Sequence, residues 1–371
     1  MTSASRDALS AIADGEGNFL IDVVQVREPH DGEVRVRLQA AGICHTDLKS
    51  LHWNGPLVMG HEGAGVIDAV GPGVTELSVG DAVLLNWAIP CGQCPQCLRE
   101  VGALCERTQG LSNAVGSSGA GAGHTIWQGR AIDRSFHLGT FSEYSIVRAE
   151  AVIRLPENLP ARLACVLGCG MMTGVGSVVN VARVRPGESV VVVGCGGVGL
   201  SAIQAARLSD AYPIIAIDRH ASRLDLARSL GATHVLQLQD AVALQDVAAS
   251  CVGELTEGRG ADYAFEATGV TALAFLPLRL VRNGGTAVQL SGAHGEAAVP
   301  MPWFFWNKTY VTPLYGACHP TRDFPRLFEW VSHGDLELES LISNTYCIER
   351  LSEAFDDLLA GRSTKGVIVF D

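Results

Sequence analysis

Two hydrophobic rhythms divide this chain of 371 residues. From residue 1 to residue 170, apolar positions come in short β-branched runs separated by glycine and other turn residues. Glu33–Ala40, Gly65–Val70 and Asp81–Asn86 read as strands, because short β-branched runs bounded by turn residues fit a pleated, half-buried surface. Strands this short and this closely spaced predict a compact, barrel-like β domain.

Past Arg185-Pro186-Gly187 the rhythm changes. Ser189–Val193 is a short apolar run, followed by a glycine turn and a helix over Val198–Ser209. Pro213–Ile217 and Ser222–Leu230 repeat strand and helix. Tyr263–Ala267 and Thr286–Leu290 supply further strands, with a helical segment over Ala272–Val281 between them. Such alternation predicts a parallel sheet covered by helices on both faces. After Leu314, Arg322–Ser332 and Arg350–Leu359 read as helices and Gly366–Phe370 as a terminal strand. The glycine-rich stretch Gly116–Gly123 reads as a flexible surface loop.

Composition narrows the class. The length favours two domains, and 47% hydrophobic against 18% charged residues permits a large core. A formal charge of −12 with no basic run makes nucleic acid and anionic membranes poor partners. Met1–Gly17 lacks the basic start and apolar stretch of a signal peptide. No apolar run reaches the ~18–20 residues of a membrane helix. Of eleven cysteines, four crowd into fifteen residues, which favours reduced thiols and metal binding over disulfides. A soluble, cytoplasmic protein is expected.

Gly194-Cys195-Gly196-Gly197-Val198-Gly199 is a G-x-G-x-x-G string that follows a strand and opens a helix. The first glycine permits the tight turn, the second lets backbone approach a pyrophosphate, and the third lets helix and strand pack closely. The second strand ends at Asp218, where a carboxylate accepts hydrogen bonds from the adenosine ribose and repels a 2′-phosphate. NAD is therefore the expected cofactor; Arg219 could contact a 2′-phosphate but is expected to pack over the adenine face or turn to solvent, and Arg223 is also counted among the cofactor residues.

Cys91, Cys94, Cys97 and Cys105 form C-x-x-C-x-x-C-x7-C on a loop containing proline and glycine. Four thiolates so spaced suit a closed, tetrahedral, structural zinc that clamps a loop with little core of its own. Three further strings carry metal-ligating residue types but are dispersed: Gly42-Ile43-Cys44-His45-Thr46-Asp47, Gly60-His61-Glu62-Gly63 and Gly168-Cys169-Gly170.

These strings, with Gly168-Cys169-Gly170-Met171-Met172-Thr173-Gly174 and the nucleotide fingerprint, resemble the zinc-dependent medium-chain alcohol dehydrogenases essentially from end to end. The resemblance implies an α/β protein with a GroES-like β-barrel catalytic domain (1–170 and 314–371) and a Rossmann domain with a doubly wound parallel sheet (171–313). It places the active site in the cleft between them. It also implies a second, catalytic zinc on Cys44, His61 and Cys169, with the fourth position open to polarise an alcohol or carbonyl oxygen.

The remaining roles are implied by position. Asp47 would fix the His61 tautomer, Glu62 would sit near the metal, and Thr46 would bond the substrate oxygen and begin a proton relay. Thr173 and Val198 would pack against the nicotinamide, and Lys365 would contact the pyrophosphate. His45 stands where many members carry an arginine on that pyrophosphate. Lys49 replaces the histidine at the outer end of the relay, with His52 three residues on, so either is expected to pass the proton to solvent. Trp87, Leu138 and Leu314 would line the substrate pocket.

The expected reaction is reversible oxidation of a primary or aromatic alcohol to its aldehyde. A thiol-dependent formaldehyde dehydrogenase, using glutathione or mycothiol, is the sibling reading; Arg107 stands near, but out of register with, the arginine of the glutathione branch. A non-catalytic nucleotide-binding protein of this fold is the remote one. The aromatic stretch Trp303–Tyr310 and the length from Cys105 to Phe141 favour a homodimer.

Overall fold

The structure is a computed structural model and describes residues 5–106, 125–239 and 243–371. Gly116–Gly123, Arg107 and the middle of the stretch from Cys105 to Phe141 lie outside the described residues. The chain divides into two units: Met1–Cys169 with His319–His333 and Leu341–Asp371, and Gly170–Cys318 with Gly334–Ser340. Among the described residues, no single helix is long and apolar enough to cross a membrane.

The first unit is built on β-structure. Arg6–Ala13, Phe19–Val26, Thr125–Trp127, Arg130–Arg134 and Leu57–Val58 close into a barrel, which leaves no free sheet edge. Its inward positions, Ala8, Ile12, Val24, Val26, Val58 and Ile132, join Ile146 in one buried cluster. Each larger aliphatic side chain there contributes about 1.5–3 kcal/mol by leaving water.

A seven-stranded sheet lies in the same unit, with Glu33–Gly42 at its centre. One edge of that strand pairs with Glu62–Val70. The other pairs first with Tyr144–Arg148 and then with Gly366–Val369. The register sets Gly42 opposite both Glu62 and Val367. Residues just beyond these three strand ends are thereby gathered in space although they are far apart in the chain. Gly42 is required there: a Cβ would come 2.3 Å from the Glu62 carboxylate.

The second unit holds a six-stranded parallel sheet in the order His234–Gln237, Ile214–Asp218, Val190–Val193, Ala261–Glu266, Val281–Gln289, Thr309–Val311. All four residues of Val190–Val193 are buried, as a central strand with both faces covered demands. Strand order reverses between Val190–Val193 and Ala261–Glu266, the switch point at which such sheets bind ligands. The expected barrel and doubly wound sheet are both present.

Element bounds differ at particular places. The helical segment expected over Ala272–Val281 is a 3-10 turn, Thr271–Leu273, then a short helix, Leu276–Leu280. Pro277 explains the break, since it has no N–H and its ring crowds the carbonyl four residues back. Val281 opens the next strand instead of closing that helix. The barrel strands Arg6–Ala13 and Phe19–Val26, the sheet strands His234–Gln237 and Thr309–Val311, and the helix Ala243–Leu255 add to the elements read from the sequence.

Candidate active site and metal centres

Cys44 caps the helix His45–Ser50, whose third residue, Asp47, is fully buried. One Asp47 oxygen accepts the Cys44 N–H at 2.8 Å, and the other lies 2.9 Å from His61 Nδ1. That second bond assigns the proton to Nδ1 and leaves Nε2 as a lone-pair donor. Nε2 is buried and has no hydrogen-bond partner. Ligand atoms of Cys44, His61, Glu62 and Cys169 all lie within 4.8 Å of one another.

A buried nitrogen without a partner is costly, and coordination is the one interaction this donor set is built to give it. Two thiols and an imidazole are zinc ligands by chemistry, and Asp47 orients the imidazole as metal sites require. The residues therefore fit a zinc ion. The neighbouring Cys169 and His61 hold Cys44 well below the usual thiol range, while Cys44 and burial push Cys169 up. His61 is raised despite burial, by the charge and hydrogen bond of Asp47 and by Cys44.

Behind this cluster is a buried ion pair. Lys365, just before the strand Gly366–Val369, sets its Nζ 2.6 Å from the Glu62 carboxylate and 3.1 Å from the Ile43 carbonyl. Burial pushes Glu62 up to about 7, and Lys365 only partly offsets it. Lys365 is raised in turn, because the charges of Glu62 and Cys44 outweigh its own burial. Lys365, expected at a pyrophosphate, pairs with Glu62 within this unit.

An aromatic group encloses the other side of His61. The Phe136 ring lies 4.7 Å from the imidazole, 5.2 Å from Trp87 and 5.5 Å from Trp53, centroid to centroid. Phe136 and His137 hold φ of +51° and +56°, a left-handed conformation that bulky residues adopt only under constraint from their surroundings. Trp87 and Leu138 are buried in this unit, whereas Leu314, on the second unit, is 40% exposed. Thr46 and Lys49 are half-buried, and burial lowers Lys49. His45 and His52 are exposed; a Cβ at Gly17 would meet the His52 ring at 2.8 Å, so that ring lies on the turn between the first two strands.

The four-cysteine loop is closed on itself. Cys91 and Cys97 sulfurs are 4.0 Å apart, and Cys94 and Cys105 sulfurs 3.9 Å. Four sulfurs each ~2.3 Å from one zinc would be about 3.8 Å apart. Backbone N–H groups of Cys91, Cys94, Cys97 and Glu106 point at these sulfurs at 3.3–3.5 Å, the polarity that thiolates require. This set also fits zinc.

In the second unit, Gly194 turns the chain at φ +96°. A Cβ at Gly199 would collide with the Gly194 carbonyl at 1.8 Å, whereas one at Gly196 would meet nothing within 4 Å. The fingerprint therefore has one packing glycine and one that faces open space. Gly197 and Val198 begin the helix Gly197–Leu208, beside the helix Gly170–Gly176 that carries Thr173. Asp218 is nearly buried and accepts the N–H groups of Cys195 and His220 at 2.7 and 2.8 Å. Arg219 donates to His220, and Arg223 lies on the helix Ala221–Leu230.

Three features of the site were not read from the sequence: the Glu62–Lys365 pair, the contact of Phe136 with His61, and the engagement of Asp218 by two backbone donors. Only Phe136 left a trace, as an aromatic next to the residues expected to line the pocket.

Known proteins agree with this geometry. Residues 30–157 match the Alcohol dehydrogenase GroES-like domain and residues 197–333 the Zinc-binding dehydrogenase domain. Alcohol dehydrogenase 1 of Trifolium repens is 33% identical over 94% of this chain and 93% of its own. The NDMA-dependent alcohol dehydrogenase of Amycolatopsis methanolica is 34% identical over 95% of both chains. The crystal structure of benzyl alcohol dehydrogenase from Acinetobacter calcoaceticus superposes with a TM-score of 0.88 at 31% identity, covering 99% of this chain and 100% of that one. The protein is an oxidoreductase acting on small alcohols or aldehydes, of a kind that uses zinc and a nicotinamide cofactor. The chain belongs to the zinc-dependent medium-chain alcohol dehydrogenase family.

Proposed function

We propose that this protein oxidises primary or aromatic alcohols to aldehydes, reversibly, with NAD as the hydride acceptor. One zinc is assigned to Cys44, His61 and Cys169 and a second to Cys91, Cys94, Cys97 and Cys105. The observation that carries the reading is the buried, unpartnered Nε2 of His61 among two thiols, with Nδ1 held by Asp47. When bound, the catalytic zinc supplies the Lewis acidity that makes an alcohol proton labile, and NAD accepts the hydride.

The chain's residues supply everything else. Asp47 keeps the imidazole in one tautomer, so His61 always offers Nε2. Thr46 takes the alcohol proton into a hydrogen bond and hands it on. Asp218 receives the ribose hydroxyls, Gly196 leaves room for the pyrophosphate at the helix N-terminus, and His45, Arg219 and Arg223 lie at its margins. Thr173 and Val198 give the nicotinamide a wall. Trp87 and Phe136 shape the alcohol side, and flat rings suit an aromatic surface. A cytoplasmic homodimer through Trp303–Tyr310 completes the proposal.

Lys49 is the proposed outlet of the proton relay, since burial moves its titration toward neutrality while the solvent-exposed His52 rests on the Gly17 turn. Lys49→Ala is expected to lower kcat by about tenfold to a hundredfold and shift the basic limb of the pH–rate profile. Matching profiles for Lys49→Ala, His52→Ala and wild type would rule out both residues.

The substrate class is tested by NADH formation with short-chain, long-chain and benzylic alcohols, and with formaldehyde in the presence and absence of glutathione or mycothiol. Turnover of plain alcohols, benzylic ones best, is the expected outcome. Turnover confined to formaldehyde plus a thiol would replace this reading with the thiol-dependent one.

A further inference from the structure

Glu266 ends the strand Ala261–Glu266, level with Val193 and Gln289 on the neighbouring strands, and none of its surface is exposed. All of its observed hydrogen-bond donors are neutral. Oε1 accepts the Thr268 N–H at 2.6 Å, the Gly269 N–H at 3.1 Å and the Thr268 hydroxyl. Oε2 accepts the Ser291 hydroxyl. The Thr268 oxygen in turn accepts the Val270 N–H at 3.0 Å. One carboxylate thus fixes the whole turn from 266 to 270 and ties it to the end of the next strand.

That turn abuts the nucleotide fingerprint. The Ala267 N–H bonds the Val193 carbonyl at 2.7 Å. A Cβ on Gly194 would fall 2.8 Å from Thr268 Cγ2 and 2.9 Å from its nitrogen. Gly194 and Thr268 are therefore in contact, and the position of either constrains the other. The charge of Glu266 also helps burial push the Tyr310 hydroxyl up to about 12. A buried carboxylate is costly unless it is hydrogen-bonded, and here four donors from the turn and the next strand meet that need.

We infer that Glu266 is a positioning residue of the dinucleotide site. Acting through Thr268, it holds the turn against Gly194, so that the fingerprint backbone is preorganised for the cofactor's phosphates. This rests on the proposed dinucleotide reading. Losing the clamp leaves the fold but frees the turn, and affinity falls because ordering must then accompany binding.

The test is NADH binding to zinc-replete protein, followed by fluorescence, for wild type, Glu266→Ala, Glu266→Gln and Thr268→Val. Glu266→Ala and Thr268→Val are expected to raise the NADH Kd about tenfold, with a smaller fall in kcat and an unaltered zinc content. Glu266→Gln keeps an acceptor for the turn's N–H groups and is expected to restore most of the affinity. Thr268→Val preserves shape and reads the clamp even if Glu266→Ala does not fold. Wild-type NADH affinity in Thr268→Val, or in a folded Glu266→Ala of lowered Tm, would overturn the inference. Absence of NADH binding by the wild type would instead overturn the dinucleotide reading beneath it.

Discussion

His61→Ala is expected to lower the zinc content from two ions per chain to one and to reduce kcat by about a thousandfold or more, the scale of losing several kcal/mol of Lewis-acid stabilisation. The expectation follows from where the ring stands. Its Nδ1 is committed to Asp47, its Nε2 is buried without a hydrogen-bond partner, and both sides of the cluster are closed by thiols and by Phe136. The four-cysteine loop serves as an internal control, because its sulfurs belong to a separate cluster and its ion should stay bound. Asp47→Asn should be milder, about tenfold to a hundredfold in activity or zinc affinity, because it disturbs only the orientation and basicity of the ligand. Metal analysis alongside steady-state rates checks both. Two zinc ions per chain in His61→Ala at an undiminished rate would remove His61 from the site.

The second large effect concerns stability. Lys365→Met is expected to destabilise the first unit by about 3–5 kcal/mol, because it strands the Glu62 carboxylate in a buried position. Lys365 is 8% exposed and Glu62 is fully buried, so solvent does little to screen the loss. The double variant Glu62→Gln/Lys365→Met should recover most of that stability, since neutral groups of similar size carry no uncompensated charge. Chemical denaturation of wild type, Lys365→Met, Glu62→Gln and the double variant, arranged as a double-mutant cycle, measures the coupling. Additive losses would mean that the 2.6 Å contact is not an effective ion pair in the folded protein.

The same pair shows where sequence reading stops. The nucleotide fingerprint and the four-cysteine loop are local: their residues lie within one turn or one loop, so spacing carries the geometry. The Rossmann alternation was legible for the same reason, since Val190–Val193 and Gly197–Leu208 declare their periods over a few residues. Glu62 and Lys365 are 303 residues apart and meet only because Gly42 pairs with Glu62 on one edge and with Val367 on the other. No local pattern encodes that register. Arg6–Ala13 is a barrel strand with alanines at three of its eight positions, a residue type that does not announce a strand. Phe136 reaches His61 through a left-handed backbone that aromatic residues seldom adopt. Glu266 falls inside the strand expected over Tyr263–Ala267 and carries no motif; only its four donors reveal an organising role.

The central claim, a zinc-dependent oxidation of alcohols by NAD, is most directly tested in a single preparation. NADH formation from benzyl alcohol would be followed in zinc-replete protein, after selective removal of the more labile zinc, and after zinc is restored. Turnover with two zinc ions per chain, its loss with one, and its return on reconstitution is the predicted sequence. Undiminished NADH formation after the labile zinc is removed, or protein that holds one zinc or none when zinc-replete, would contradict the account.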